Sequence, residues 1–266
     1  MISIILTTYN RAEFLRDSLR TLSEQDYPGA TQLILCDDGS TDDTPYVAEE
    51  FKGNFDSFQI IREDPADEQR FQEVRYVKLI NKALPLCKEK YVTYATDDDL
   101  YHPRRSRTLV EFLEAHPGVF LVYHYMKVFR VSREKDYLEA IWDLSHQWTP
   151  GLKYWIENVW NYIDHSAIMH RNMFAENTPW DDDPRYMKCG DWGFLKRVLA
   201  AGKEFAHVPE YLAIGRKIKG MSLHFDGVET YERTVRNKDT KRVPTYVSTR
   251  VRVFMFFRFL SSLGVS

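Results

Sequence analysis

Tyr91-Val92-Thr93-Tyr94-Ala95-Thr96-Asp97-Asp98-Asp99-Leu100-Tyr101 is the stretch on which the fold turns. Tyr91 to Ala95 is a short run of β-branched and aromatic residues, and it reads as a buried strand. The run stops at three carboxylates, and His102-Pro103 follows, with proline suited to the first position of a helix. The carboxylates are therefore expected in a turn just past the C-terminal end of a strand, where open α/β sheets bind their ligands. Adjacent carboxylates repel one another and resist ionisation. A hard cation such as Mg²⁺ or Mn²⁺ relieves that conflict and commonly arrives with a phosphate. A solvated acidic turn capping the next helix has the same composition, so this stretch alone leaves both readings open.

Upstream, Ile2 to Leu6 is another apolar run, ending at Thr7-Thr8-Tyr9-Asn10-Arg11. Asn10 and Glu13 have the spacing of a capping pair, and Leu15, Leu19 and Leu22 then recur at helical spacing. Leu33 to Cys36 reads as a second strand running into Asp37-Asp38-Gly39-Ser40-Thr41-Asp42-Asp43-Thr44, with a helix to about Phe51. Phe58 to Ile61 reads as a third strand, residues 62–70 as a loop, and Arg75 to Leu86 as a helix with Val77, Ile80 and Leu84 inward. A helix from Arg104 to Ala115 is expected before Pro117-Gly118. Strand and helix alternate, so the expected class is α/β, a mostly parallel central sheet flanked by helices. Its strand ends carry Tyr9, Asn10 and Arg11, then Asp37 and Asp38, then Asp97 to Asp99, and one sheet edge brings them to one cleft. No GxGxxG and no GxxxxGK[ST] occurs, so a nucleotide-and-metal site here is of neither kind. Turn and cap chemistry is the competing account of the same residues.

The second half is less regular. Val119 to Val131 alternates loosely, as two strands or one long bent strand, and Asp136 to Trp160 shows no period. Asp164 to Arg171 reads as a short strand with polar flanks, and Asp181-Asp182-Asp183-Pro184 as a solvated acidic turn. Cys189-Gly190-Asp191 precedes a helix from Trp192 to Ala201, where Asp191 would serve at least as an N-cap. Ala206 to Ile214 reads as a strand with Pro209 at a kink or edge. After Phe225 the chain turns polar to residue 244, and Val247 to Val265 is apolar but carries Arg250, Arg252 and Arg258. That segment suits packing on the domain, a homodimer contact, or peripheral contact with a membrane surface.

Composition narrows the classes further. A formal charge of −3 argues against a general nucleic-acid binder. The three cysteines, Cys36, Cys87 and Cys189, are far apart and form no CxxC pair, which disfavours zinc and a disulfide framework. A cytoplasmic setting is expected, with no secretory leader read at Met1 to Thr7 and no apolar run of the ~20 residues that span a bilayer.

Together, Thr7-Thr8-Tyr9-Asn10-Arg11, Asp37-Asp38-Gly39-Ser40-Thr41-Asp42 and Thr96-Asp97-Asp98-Asp99 resemble the nucleotide-sugar half of the family 2 inverting glycosyltransferases of GT-A fold. Arg75-Tyr76, Leu79-Ile80-Asn81, Ile163-Asp164-His165, Met169-His170-Arg171, Gly190-Asp191 and Ser222-Leu223-His224-Phe225, in this order, are similar to the bacterial spore-coat polysaccharide branch of that family. The resemblance implies a Rossmann-like GT-A domain over 1–225, with a nucleotide-sugar half at 1–103 and an acceptor half at 104–225. A linker and helical segment would occupy 226–266.

It also implies roles. Thr8 belongs to the nucleotide loop, Tyr9 would stack on a uracil or thymine base, and Asp38 would bind the base edge or ribose. Arg11 and Arg70 would meet base or phosphate, since guanidinium matches phosphate with a planar fork. Asp97 would hold the ribose. Mn²⁺ or Mg²⁺ would sit on Asp98 or Asp99 with His224 close by; the family's D-x-D has Thr96 in its first position here, which leaves the two acids in contention. Asp191 would be the general base, with His165 as its rival because histidine titrates nearer neutrality. His165, His170 and Arg171 would lie on the acceptor or donor-sugar side, or the histidines would be satisfied core residues. The implied partners are a UDP- or dTDP-sugar and a glycan or lipid-linked acceptor, in polysaccharide or surface-glycan synthesis. A sugar nucleotidyltransferase or a non-catalytic carbohydrate-binding protein on the same fold is the alternative.

Overall fold

The structure is a computed structural model, and it describes residues 1–64, 74–132, 136–159, 161–172, 179–182 and 189–217. The apolar runs at the start of the chain become the middle of the sheet. β1 (Ile2–Thr8) pairs in parallel with β2 (Thr31–Asp37) on one side and β4 (Tyr91–Thr96) on the other, and β3 (Ser57–Arg62) extends β2 in parallel. Helices α1 (Ala12–Ser23), α2 (Thr44–Glu50) and α3 (Arg75–Ala83) connect them. Ile2, Ile4 and Leu6 enter one core with Leu15, Leu19 and Leu22, while Ile5 enters a second with Val77 and Ile80. A parallel strand covered on both faces has no polar face to show, hence the unbroken apolar runs.

Beyond β4 the sheet is mixed. β8 (Ile168–Arg171) runs antiparallel to both β4 and β6 (Val119–Val131), and β9 (Glu204–Lys217) runs parallel to β6. β5 (Asp99–Tyr101) pairs antiparallel with β9, and β7 (Tyr137–Leu144) with β6. The order is β3-β2-β1-β4-β8-β6-β9-β5, with β7 on β6. Helices α4 (Arg105–Ala115), α5 (Pro150–Asn158) and α6 (Gly190–Ala200) complete the mixed α/β domain. The expected parallel order thus holds for the first four strands, and β8 reverses it.

Several boundaries move for identifiable reasons. Asp99 is not in the acidic turn but opens β5, so only Asp97 and Asp98 link the two strands. Pro103 lies in the turn before α4 and not inside it. Val119 to Val131 is one strand, and its register against β9 shifts at His124/Tyr125, where Pro209 cannot donate to a ladder. The aperiodic stretch after Asp136 holds β7 and α5. α5 begins at Pro150 and is capped by Thr149, whose Oγ1 accepts from the Leu152 N–H at 3.1 Å.

Candidate active site

The first two strand ends are laced together before they offer anything to a ligand. Asn10 takes a positive φ of 49°. Its N–H donates to Ser40 Oγ at 2.9 Å, and its Oδ1 accepts from the Thr41 N–H at 2.7 Å. Asp42 accepts from the Ala12 and Thr44 N–H groups at 3.1 and 3.0 Å, so it satisfies the start of α1 from another loop. The expected Asn10–Glu13 capping pair is therefore replaced: α1 has Arg11 at its N-cap and no side-chain cap of its own. Asp37 is buried and accepts from Ser40 and Arg62. Asp38 points elsewhere, with its Oδ1 accepting from Arg75 Nε and Nη2 at 2.9 and 2.7 Å. Tyr9 is exposed on this rim, at 39%.

The acidic turn sits directly behind that rim. Arg11 Nη1 lies 2.9 Å from Asp97 Oδ1 and 3.0 Å from Asp98 Oδ2, and the Tyr9 N–H donates to Asp97 Oδ2 at 3.2 Å. Thr8, buried at the end of β1, adjoins this group. Lys217, at the far end of β9, places Nζ 3.0 Å from Asp98 Oδ2. Thr96 Oγ1 donates to Asp98 Oδ1 at 2.9 Å, so both oxygens of Asp98 are engaged. Arg216 holds the backbone of the same residue, with its N–H and Nε both donating to the Asp98 carbonyl, at 3.2 and 3.0 Å. Burial opposes ionisation of Asp98, but Lys217 and Arg11 outweigh it and hold its carboxyl below the usual carboxylate range. Burial pushes Asp97 up, with Arg11 pulling against it. Asp99 is pushed up to about 7 by burial and by Asp98, and its Oδ1 is buried without a hydrogen-bond partner.

The chemistry of these donors is that of a hard-cation site, carboxylate oxygens without thiols. Among the described residues no three His, Cys, Asp or Glu side chains gather to hold a metal. Asp98 and Asp99 nonetheless suit Mg²⁺ or Mn²⁺, which usually takes one or two carboxylates and fills its remaining positions with water and substrate phosphate. The expected third group, His224, lies outside the described residues, as do Arg70 and the 226–266 segment.

A second cluster adjoins the first through Asp164. Its Oδ1 accepts from the Ser166 N–H at 2.9 Å and lies 3.6 Å from His165 Nδ1. Its charge is felt by Lys217, by Asp99 and by Asp191. His165 stacks on Tyr76 with ring centroids 6.0 Å apart and meets Trp180 edge-on at 5.6 Å. The Tyr76 hydroxyl accepts from the Gly190 N–H at 2.5 Å, which ties this ring to the start of α6. Asp191 is the second residue of α6, not its cap; Cys189 holds that position and gives no side-chain cap. Its Oδ1 accepts from the Trp192 N–H at 2.8 Å, and the Asn161 side chain also bonds it. Burial first, and the charge of Asp164 second, push Asp191 up to about 8. A carboxylate so raised suits proton transfer near neutral pH. Burial lowers His165, and Asp164 works against that shift.

Two of the expected residues belong elsewhere. His170 is buried in the second core; its Nε2 lies 2.9 Å from the Tyr94 hydroxyl and its Nδ1 2.9 Å from the Arg171 carbonyl. Burial pushes it down to about 4, so it is a neutral core histidine. Arg171 pairs in register with Tyr91, the first residue of β4, so it lies at the opposite sheet edge from Asp97. It donates to the carbonyls of Val119, Leu113 and His116, where a cation satisfies the C-terminal end of α4. In sequence the two adjoin site residues, but β8 carries them away from the cleft.

Residues 3–178 match the family described as glycosyl transferase family 2. The chain belongs to that family. Among relatives of this family 2 chain is the protein CgeD of Bacillus subtilis, 29% identical over 208 residues that cover 74% of this chain and 46% of CgeD. The putative glycosyltransferase EpsE of the same organism is 32% identical over 129 residues, 48% of this chain and 44% of EpsE. The chain thus spans about half the length of these curated relatives. Its fold matches S. aureus TarS 1–349 in complex with UDP at a TM-score of 0.62 and 15% identity, covering 90% of this chain and 67% of that one. It also matches mannosyltransferase PcManGT of Pyrobaculum calidifontis in complex with GDP-Man and Mn²⁺ at a TM-score of 0.56 and 14% identity, covering 90% and 65%. These likenesses establish a GT-A type fold. The relatives reach the family and not its spore-coat branch. No helix among the described residues is long and apolar enough to cross a membrane.

Proposed function

We propose that the chain transfers a sugar from a nucleotide diphosphate donor to an acceptor hydroxyl, with inversion at the anomeric carbon. One observation carries this reading: Asp164 links Asp191, a carboxylate raised to about 8, to the Arg11–Asp97–Asp98–Lys217 group at the strand ends, its charge acting on both Asp191 and Lys217. Inverting displacement needs a base on one face of the sugar and charge stabilisation of the leaving diphosphate on the other. Asp191 would take the proton of the attacking hydroxyl. His165, buried among rings with Nε2 unpartnered, is less suited to accept one. Exposed Tyr9 would stack on the base, while Asp38, already aligned by Arg75, would accept from the base edge or ribose. Asp97 would bind the ribose hydroxyls, and Arg11 and Lys217 would face the diphosphate. A divalent cation on Asp98 would add Lewis-acid stabilisation of the leaving group. UDP or dTDP suits the expected pyrimidine contact, and TarS and PcManGT are described with UDP and GDP-Man.

The acceptor side would be α5 and the chain after it. Tyr162, next to the Asn161 that bonds Asp191, lines an open cavity of about 420 Å³ with Trp155 and His146. Aromatic faces with polar tips suit a pyranose ring. We place the reaction in polysaccharide or surface-glycan synthesis at the cytoplasmic side, and assign 245–266 a membrane or second-subunit contact from its apolar, arginine-bearing sequence. Calorimetry with a panel of UDP-, dTDP- and GDP-sugars in Mn²⁺, followed by donor hydrolysis, tests the reading. Saturable binding of a pyrimidine nucleotide and slow hydrolysis are expected; binding of none of the panel overturns it.

A further inference from the structure

Lys217 ends β9 beside a carboxylate that a divalent cation would need. Its ammonium is 3.0 Å from Asp98 Oδ2, and its side chain is 12% exposed against 6% for Asp98. Asp98, Asp99 and Asp164 surround it, and Arg11 is a second cation on Asp98. The neighbouring Arg216 is spent on the Asp98 backbone and on Asp17. Asp99 adds an independent sign of an unfilled role, a buried carboxylate oxygen with no partner. A bare acidic pocket would bind Mn²⁺ from solution whether or not donor were present. Here the ammonium already supplies the positive charge and already holds an oxygen of Asp98.

We propose that Lys217 is a resident counter-cation that keeps a divalent ion off Asp98 until a diphosphate arrives. The diphosphate brings negative charge to the cluster and new acceptors for the ammonium. Lys217 then leaves Asp98 for the phosphate, and the freed carboxylate joins Asp99 in receiving the ion. The residue would thus couple metal binding to donor binding. This rests on the glycosyltransferase reading, but its central claim concerns metal affinity without donor.

The test is titration of the protein with MnCl₂ in the absence of nucleotide, with free Mn²⁺ read by its electron paramagnetic resonance signal. Lys217→Gln keeps a hydrogen-bond donor and removes the charge, and it should bind Mn²⁺ at least about tenfold more tightly than wild type, as expected for deleting a cation a few ångströms from the site. Lys217→Arg keeps the charge and should bind as weakly as wild type. Equal or weaker affinity in Lys217→Gln overturns the proposal, as does tight binding in the wild type. Should Lys217→Gln fold poorly, its melting midpoint should rise with MnCl₂ concentrations that leave wild type unchanged, and no rise also overturns it. UDP affinity of the wild type in Mn²⁺ is measured alongside. Its absence counts against the glycosyltransferase reading, while the Mn²⁺ comparison judges Lys217 alone.

Discussion

Replacing Asp191 with asparagine should make the protein more stable and nearly inactive at once. Asparagine keeps the size of the side chain, and its amide oxygen can still accept from the Trp192 N–H. Burial and Asp164 hold Asp191 at about 8, against roughly 3.9 for a free aspartate. The folded state therefore binds this proton more tightly than the unfolded chain does. Ionising the group costs stability, and the cost grows as pH rises from about 4 to about 8. At about 1.4 kcal/mol per tenfold in proton affinity, a wholly enclosed group would cost ~5 kcal/mol. Asp191 keeps some exposure to water, and screening brings the expected gain from asparagine to roughly 1–3 kcal/mol near pH 8, vanishing near pH 4. Loss of a general base should lower transfer by roughly 10²–10⁴-fold, with nucleotide affinity unchanged. Thermal melting across pH 4–8.5 and transfer rates with one donor measure both effects. In the wild type, transfer should climb with pH toward about 8 as Asp191 ionises. A variant that melts lower than wild type at pH 8, or keeps more than about a tenth of the transfer rate, refutes this role.

Three further outcomes are expected. UDP measured by calorimetry should bind at least about tenfold more weakly in excess chelator than in Mn²⁺, since without the ion the Asp98 that Lys217 leaves has no cation in its place and repels the diphosphate. His170→Ala should cost roughly 1–3 kcal/mol by taking the acceptor from the Tyr94 O–H, whose oxygen still accepts from Trp180 Nε1, with UDP affinity intact. Because His170 is held at about 4, the wild type loses stability as pH falls from about 6.5 through that value, and the variant's melting should be less acid-sensitive there. A Cβ on Gly190 would sit 2.3 Å from Val77 Cγ2 and 2.7 Å from the Tyr76 hydroxyl, so Gly190→Ala should lift α6 from α3. It should lower both melting temperature, by roughly 1–3 kcal/mol of stability, and transfer rate, because Asp191 is the next residue.

What could be read from sequence follows from how locally each role is encoded. β1, β2 and β4 are buried on both faces, so their apolar runs name them, and Asp97 and Asp98 stand at the end of one. Asp191 stands out in the sequence by its place before a helical pattern, though it is the second helical residue and not the cap. Lys217 and Arg216 gave no signal, since their partner Asp98 is far away in sequence and only β5 pairing with β9 brings them together. His170 and Arg171 misled for the reverse reason. They adjoin Asp164 and His165 in the chain, but strand geometry turns one into a core and the other to the far edge. The acids expected to hold a metal show in a motif, but the cations that occupy Asp98 do not.

The link between β4 and β5 has a mechanical consequence. In sheet order three strands separate them, and at ~4.8 Å between neighbours a flat sheet would hold them ~19 Å apart. Only Asp97 and Asp98 join Thr96 to Asp99, and three Cα steps reach at most ~11 Å. The sheet is thus bent round like a bow, with the acidic turn as its string. The Thr96 N–H donating to the Tyr101 hydroxyl at 2.9 Å ties a second knot across the same gap. Residues that sit in a taut string have little freedom to wander, so the carboxylates of the turn are aimed by the curvature of the whole sheet. Slackening the string by even one inserted glycine would unaim them while leaving every side chain of the cleft in place.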